Sequence, residues 1–185
     1  MGENKINIKS VEEIVNLINN KDFYNAEKEL LKIIKVKKNS FKAHFLLGNV
    51  FAVIKKFEKA IEHYKISYSL QPDNKNTVYN LGVMYREKGE LNTSKIFFKK
   101  TLSLDTNHLN ANLSLAKTYE IENNYEQAKV YYNKTLSIKK DFVLANQMYG
   151  NFLIQIGEIN KGQYYLYKYS GVIRFNEKGI NIVNE

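Results

Sequence analysis

Three histidines, a scatter of glutamates and a large stock of asparagine, tyrosine and lysine are the side chains of this 185-residue sequence with chemistry to offer. No two of His44, His63 and His108 stand four residues apart around a glutamate, the spacing of a zinc-protease helix. His63 is expected on the outer side of its helix. Cysteine is absent, so there is no disulfide framework, thiolate metal site or cysteine nucleophile. Glu12-Glu13, Glu87, Glu90, Glu120, Glu122 and Glu126 read as solvated charges at helix ends or outer faces. A catalytic pair would need two carboxylates converging in a cleft. The glycines stand singly, so no loop cradles phosphate. The Asn-X-Ser/Thr sites at Asn92, Asn112 and Asn133 read as coincidence in an asparagine-rich chain. The expectation is a non-enzymatic protein with no catalytic residue, no metal and no cofactor.

The net charge of +9 points toward nucleic acid, but the type of cation points away. Arg86 and Arg174 are the only arginines, and arginine's planar fork is the usual reader of phosphates and guanines. Nucleic acid is therefore set aside as a partner. The run Lys35-Val36-Lys37-Lys38 reads as a solvated helix end. Residues Met1 to Asn20 mix Glu, Asn and Lys among the apolar positions and contain no leader-like core. No stretch approaches the ~20 apolar residues of a membrane span. The expected setting is cytoplasmic, away from a membrane.

The elements that position these side chains follow from a period. Asn80-Leu81-Gly82, Tyr85 and Leu91 have counterparts 34 residues earlier at Leu47-Gly48, Phe51 and Phe57. They have counterparts 34 residues later at Leu115-Ala116, Tyr119 and Tyr125, then at Tyr149-Gly150, Leu153 and Ile159. Five units fit: 7–40, 41–74, 75–108, 109–142 and 143–176. Each holds two amphipathic helices about 14 residues long and a short turn. The turns read Lys21-Asp22, Lys55-Lys56, Gly89-Glu90, Asn123-Asn124 and Gly157-Glu158, and Gly or Asn there suits a left-handed helix stop. The breaks between units carry Ser40, Asn74 and Asp141, short side chains that cap helix N-termini, and the only proline, Pro72.

This pattern resembles the tetratricopeptide repeat. The second unit supplies His44, Leu47-Gly48, Phe51, Ala60, Tyr64 and Pro72. The third supplies Val78, Leu81-Gly82, Tyr85, Ser94 and Phe98. The fourth supplies Asn112, Leu115-Ala116, Tyr119, Ala128 and Tyr132, and the fifth Tyr149-Gly150, Leu153, Gly162 and Leu166. The first is degenerate, with Ile14, Leu17, Ala26 and Leu30, as an end unit can be. The resemblance implies an all-α, right-handed solenoid of antiparallel helix pairs over residues 1–176. In that frame His44 takes a packing slot between helices.

The resemblance further implies that the first helix of each unit lines a concave face that holds a partner's peptide. The residues expected there are Lys42, Phe45, Asn49, Asn76, Tyr79, Asn80, Val83, Arg86, Asn110, Leu113 and Lys117. Asparagine offers a donor and an acceptor to an extended backbone. Phe45, Tyr79 and Leu113 would pocket apolar side chains, and Lys42, Arg86 and Lys117 would attract acidic ones. Some co-chaperones of the family clamp a C-terminal carboxylate. Asn49 and Asn80 match that set, but Phe45, Asn110 and Ser114 stand where its cations belong, so that activity is not implied. Tyr149-Gly150-Asn151-Phe152-Leu153 resembles, weakly, the repeats of bacterial pilus-assembly proteins.

The helical spacing fails after Ser170. Residues 171–183 read as a β-hairpin turning at Asn176-Glu177-Lys178-Gly179, or as a tail over 177–185. Two alternatives to the adapter reading follow. The chain could be the arm of a larger enzyme whose catalytic domain lies beyond it. It could instead self-assemble through Tyr164, Tyr165, Tyr167 and Tyr169 on the last helix, where a further unit would dock.

Overall fold

The computed structural model describes residues 9–169, 173–176 and 179–182, with side chains through residue 168. The chain forms two compact units that divide between Leu104 and Asp105. The first contains α1 (Val11–Asn19), α2 (Phe23–Val36), α3 (Phe41–Val53), α4 (Phe57–Leu70), α5 (Lys75–Glu87) and α6 (Leu91–Leu104). The second contains α7 (Leu109–Ile121), α8 (Tyr125–Ile138), α9 (Val143–Gln155) and α10 (Ile159–Tyr169). It also holds β1 (Ile173–Asn176) and β2 (Gly179–Ile182), which pair antiparallel with Ile173 opposite Ile182. The turn assigned to Glu177-Lys178 and the tail from residue 183 lie outside the described residues.

The helices begin and end where local chemistry directs. Ser40, Asn74 and His108 accept a hydrogen bond from the backbone N–H three residues on, capping α3, α5 and α7. Ser10 and Glu13 form a reciprocal capping box on α1. Each helix pair is closed by one residue with positive φ: Lys21, Lys55, Gly89, Asn123 and Gly157, 34 residues apart each time. Glycine and asparagine tolerate this left-handed conformation. The two lysines hold it against the Cβ–carbonyl crowding that makes it costly for most L-residues.

Packing within each pair depends on a small residue facing a large one. A Cβ on Gly48 would fall inside the Tyr64 ring's van der Waals envelope, and one on Gly82 would lie 2.7 Å from Phe98. The Gly48 and Gly82 slots therefore let α3 meet α4, and α5 meet α6, at the depth that buries Tyr64 and Phe98 completely. The core of the first unit gathers Ile14, Leu30, Leu47, Val50, Phe51, Tyr64, Leu81 and Met84. In the second unit Leu115, Leu136 and Leu153 are joined by aromatic rings: Tyr132 stacks on Tyr149 at 5.1 Å, and Tyr149 meets Tyr165 at 4.8 Å.

One polar device recurs at the fourth position of a unit. His44 Nε2 lies 3.0 Å from the Lys38 carbonyl, and Asn146 Nδ2 donates to the Lys140 carbonyl at 2.9 Å. Each ties a first helix to the loop before it, six residues upstream, and satisfies a loop carbonyl just past the preceding helix.

Candidate functional site

The expected face of the first unit is built on α3 and α5, with Tyr64 of α4 reaching it from behind. Tyr64 is packed against Gly48 and almost fully buried, and its hydroxyl reaches the two first helices. There it donates to Asn49 Oδ1 at 2.7 Å. Asn80 Nδ2 donates to Asn49 Oδ1 at 3.1 Å and to the Tyr64 hydroxyl at 3.2 Å. The three groups close a triangle. Burial pushes the Tyr64 hydroxyl's pKa well above its ordinary value, with the bond from Asn80 opposing in part, so it stays a donor.

The triangle sets which way both amides point. Asn49 spends its oxygen on two donors, and Asn80 spends both N–H bonds on two acceptors. Asn49 Nδ2 and Asn80 Oδ1 are left without a partner among the described residues, and neither is enclosed. One donor and one acceptor thus face outward from neighbouring helices.

The remaining expected residues divide clearly. Phe45 is half-buried, with its ring 6.1 Å from that of Tyr64 and stacked on Phe41. Tyr79, also half-buried, lies 5.7 Å from Phe98. Val83 packs against the core of the first unit. Lys42 and Asn76 are exposed. Arg86 pairs with Glu87 at 3.3 Å and lies over the Phe98 ring. In the second unit Asn110 is exposed. Leu113 is 6% exposed and belongs to the buried set, not to an open pocket wall, since an aliphatic side chain gains more from enclosure than from water. Lys117 is held by Glu120 at 2.5 Å.

Glu120 and His63 depart from the expected outward placement. The Glu120 side chain is 10% exposed, accepting from Lys117 on one oxygen and from the Tyr132 hydroxyl at 2.7 Å on the other. The two donors satisfy the carboxylate well enough for it to be enclosed. His63 Nδ1 lies 3.0 Å from His44 Nδ1, and its ring stacks on Phe51 at 5.4 Å. The Lys38 carbonyl can only accept, so His44 Nε2 carries a proton. A neutral His44 then accepts at Nδ1 from His63. Burial, with His44 alongside, lowers the His63 pKa. Among the described residues no group of three or more His, Cys, Asp or Glu could hold a metal ion. No helix there is long and apolar enough to cross a membrane.

The triangle's tyrosine was missing from the sequence-derived face. A signal exists: the twenty-fourth position of the unit is Tyr64, Phe98 and Tyr132 in successive units, and only tyrosine carries a hydroxyl through to the first helix.

The tetratricopeptide-repeat family model matches residues 76–108 and 109–142. Solved structures share the fold. One is MamA, at 22% identity and a TM-score of 0.77, covering 89% of this chain and 95% of that one. PilW, described as a widely conserved type IV pilus biogenesis factor, is 19% identical with a TM-score of 0.79, covering 86% and 74%. YrrB, described as a TPR protein with an unusual peptide-binding site, is 14% identical with a TM-score of 0.68, covering 84% and 80%. No curated protein matches the sequence. Two adjacent repeats thus match the tetratricopeptide-repeat model, and the chain shares its helical solenoid fold with these structures.

Proposed function

We propose that this protein is an adapter whose α3–α5 face holds an extended segment of a partner protein. One observation carries the reading: the Tyr64 triangle presents the Asn49 donor and the Asn80 acceptor in fixed orientation. A peptide unit offers the complementary acceptor and donor, so two side chains can hold a backbone of any sequence. Phe45 and Tyr79 supply apolar surface beside them. The expected residues Lys42, Asn76, Val83 and Arg86 border this face, and Asn110, Leu113 and Lys117 are not needed for it. A peptide-binding site reported for the structurally similar YrrB supports the reading by analogy of fold.

The test compares proteins retained by the wild-type chain with those retained by the Asn49→Leu/Asn80→Leu variant, once circular dichroism shows equal helicity. At least one partner should be retained by the wild type and lost by the variant. Full retention of every partner by the variant would move the site elsewhere.

Self-association through α10 is a second reading, favoured by Tyr164 and Tyr167, which are 51% and 55% exposed on adjacent turns. Light scattering across a concentration series should show growth in mass for the wild type and less for Tyr164→Ser/Tyr167→Ser. A concentration-independent monomer removes it.

A further inference from the structure

The charges around the Asn49–Asn80 pair restrict what can lie on it, and the argument rests on the adapter reading above. Between Lys42 and Arg86 the face consists of Phe45, Leu46, Asn49, Asn76, Tyr79, Asn80 and Val83, all neutral. Lys42 precedes Asn49 by seven residues and Arg86 follows Asn80 by six, which places each cation's backbone about 9–11 Å along its helix from the amide. Arg86 is in addition engaged by Glu87 and the Phe98 ring. A carboxylate laid between Phe45 and Tyr79 would lose water against side chains that carry no charge, and an unpaired charge is costly to bury.

Apolar side chains meet better conditions. Phe45 leans on the fixed Tyr64 ring, one helical turn before Asn49. Tyr79 leans on Phe98 beside Asn80, and Val83 continues that surface one turn later. Each is only partly covered by the fold, so an incoming aliphatic or aromatic group removes further apolar area from water on both sides of the held peptide unit.

We infer that the occupant is an extended, uncharged protein segment, with an aliphatic or aromatic side chain on each side of one peptide unit bound by Asn49 Nδ2 and Asn80 Oδ1. Recognition is by backbone and apolar contact, not by charge. The sequence-based expectation of acidic side chains drawn by Lys42, Arg86 and Lys117 is replaced by this one for the centre of the face.

The full chain is panned against a phage-displayed library of random linear dodecapeptides, with the Asn49→Leu/Asn80→Leu variant panned in parallel. Enriched peptides are labelled and titrated by fluorescence anisotropy at about 0.05 and 0.5 M NaCl, a range over which screening of exposed charges rises steeply. The inference expects uncharged peptides with paired apolar residues, an affinity that shifts by less than about twofold with salt, and a loss of about tenfold or more in Asn49→Asp, which removes the outward donor. Acidic peptides with salt-sensitive affinity, lost in the double variant, would overturn the inference while leaving the adapter reading in place. Peptides bound equally by the double variant, or no enrichment over it, would overturn both.

Discussion

Tyr64 in the first unit and Tyr132 in the second stand at the same step of the repeat, two repeats apart, and both pass a hydroxyl through the core toward a first helix. Their surroundings differ. Tyr64 meets two neutral amides that retain an unused donor and an unused acceptor. Tyr132 meets Glu120, whose other oxygen accepts from Lys117, so both carboxylate oxygens are engaged within the fold. Burial, followed by the neighbouring Glu120, drives the Tyr132 pKa upward, so that hydroxyl is held as a permanent donor. The same buried tyrosine thus orients the proposed recognition surface in one unit and serves internal cohesion in the other. The choice lies with the residues three positions apart on the first helix: Asn49 and Ala52 in one case, Lys117 and Glu120 in the other.

The contrast can be broken most forcefully by deleting each hydroxyl. Tyr132→Phe strands an enclosed carboxylate oxygen and should cost about 1–3 kcal/mol in urea denaturation. Tyr64→Phe leaves amides that water can reach and should cost about 1 kcal/mol or less. Equal losses would mean that the two sites do the same work.

A smaller effect separates the turns. Lys55 and Gly89 hold the same left-handed conformation, but only the lysine is strained by it. Lys55→Gly should raise stability by about 0.5–1 kcal/mol, and Gly89→Lys should lower it by a similar amount. Thermal denaturation of the pair checks both signs.

The smallest effect concerns the helix pair that carries Tyr64. His63 has a lowered pKa in the folded chain, so above about pH 6.5 it is neutral folded or unfolded and does not bias stability. As the pH falls below that value the unfolded chain takes up a proton before the folded chain does, and stability is lost. The charged neighbours of His63 are Glu27 on α2 and Lys59 and Glu62 on α4, with His44 facing it from α3. His63→Gln keeps a donor toward His44 and should flatten the fall in melting temperature between about pH 6.5 and 5. An unchanged slope would show that the pair is not responsible.

The fold could be read because its cause is local and repeated. Leu47-Gly48, Leu81-Gly82 and Leu115-Ala116 at a fixed interval specify a helix pair whatever surrounds them. Asn123 and Gly157 marked their turns by residue type, whereas Lys21 and Lys55 could be placed there only by the interval. The faces of side chains were harder. His63 on a charged helix looked solvent-facing until His44, nineteen residues away, supplied an acceptor. Glu120 looked like a surface charge, and its enclosure depends on a hydroxyl twelve residues on. Asn49 and Asn80 were identified by position, but the direction of their amides depends on a third group that no spacing rule includes.

The close fit of Tyr64 against Gly48 has a consequence for how tightly a segment would settle on the proposed face. Because the packed ring holds its hydroxyl against both amides, the two asparagines are ordered when the chain folds. A guest on the proposed face would be spared an entropy loss of about 0.5–1.5 kcal/mol for each side chain already immobilised. A larger side chain at position 48 would give that saving back without touching any atom the guest meets.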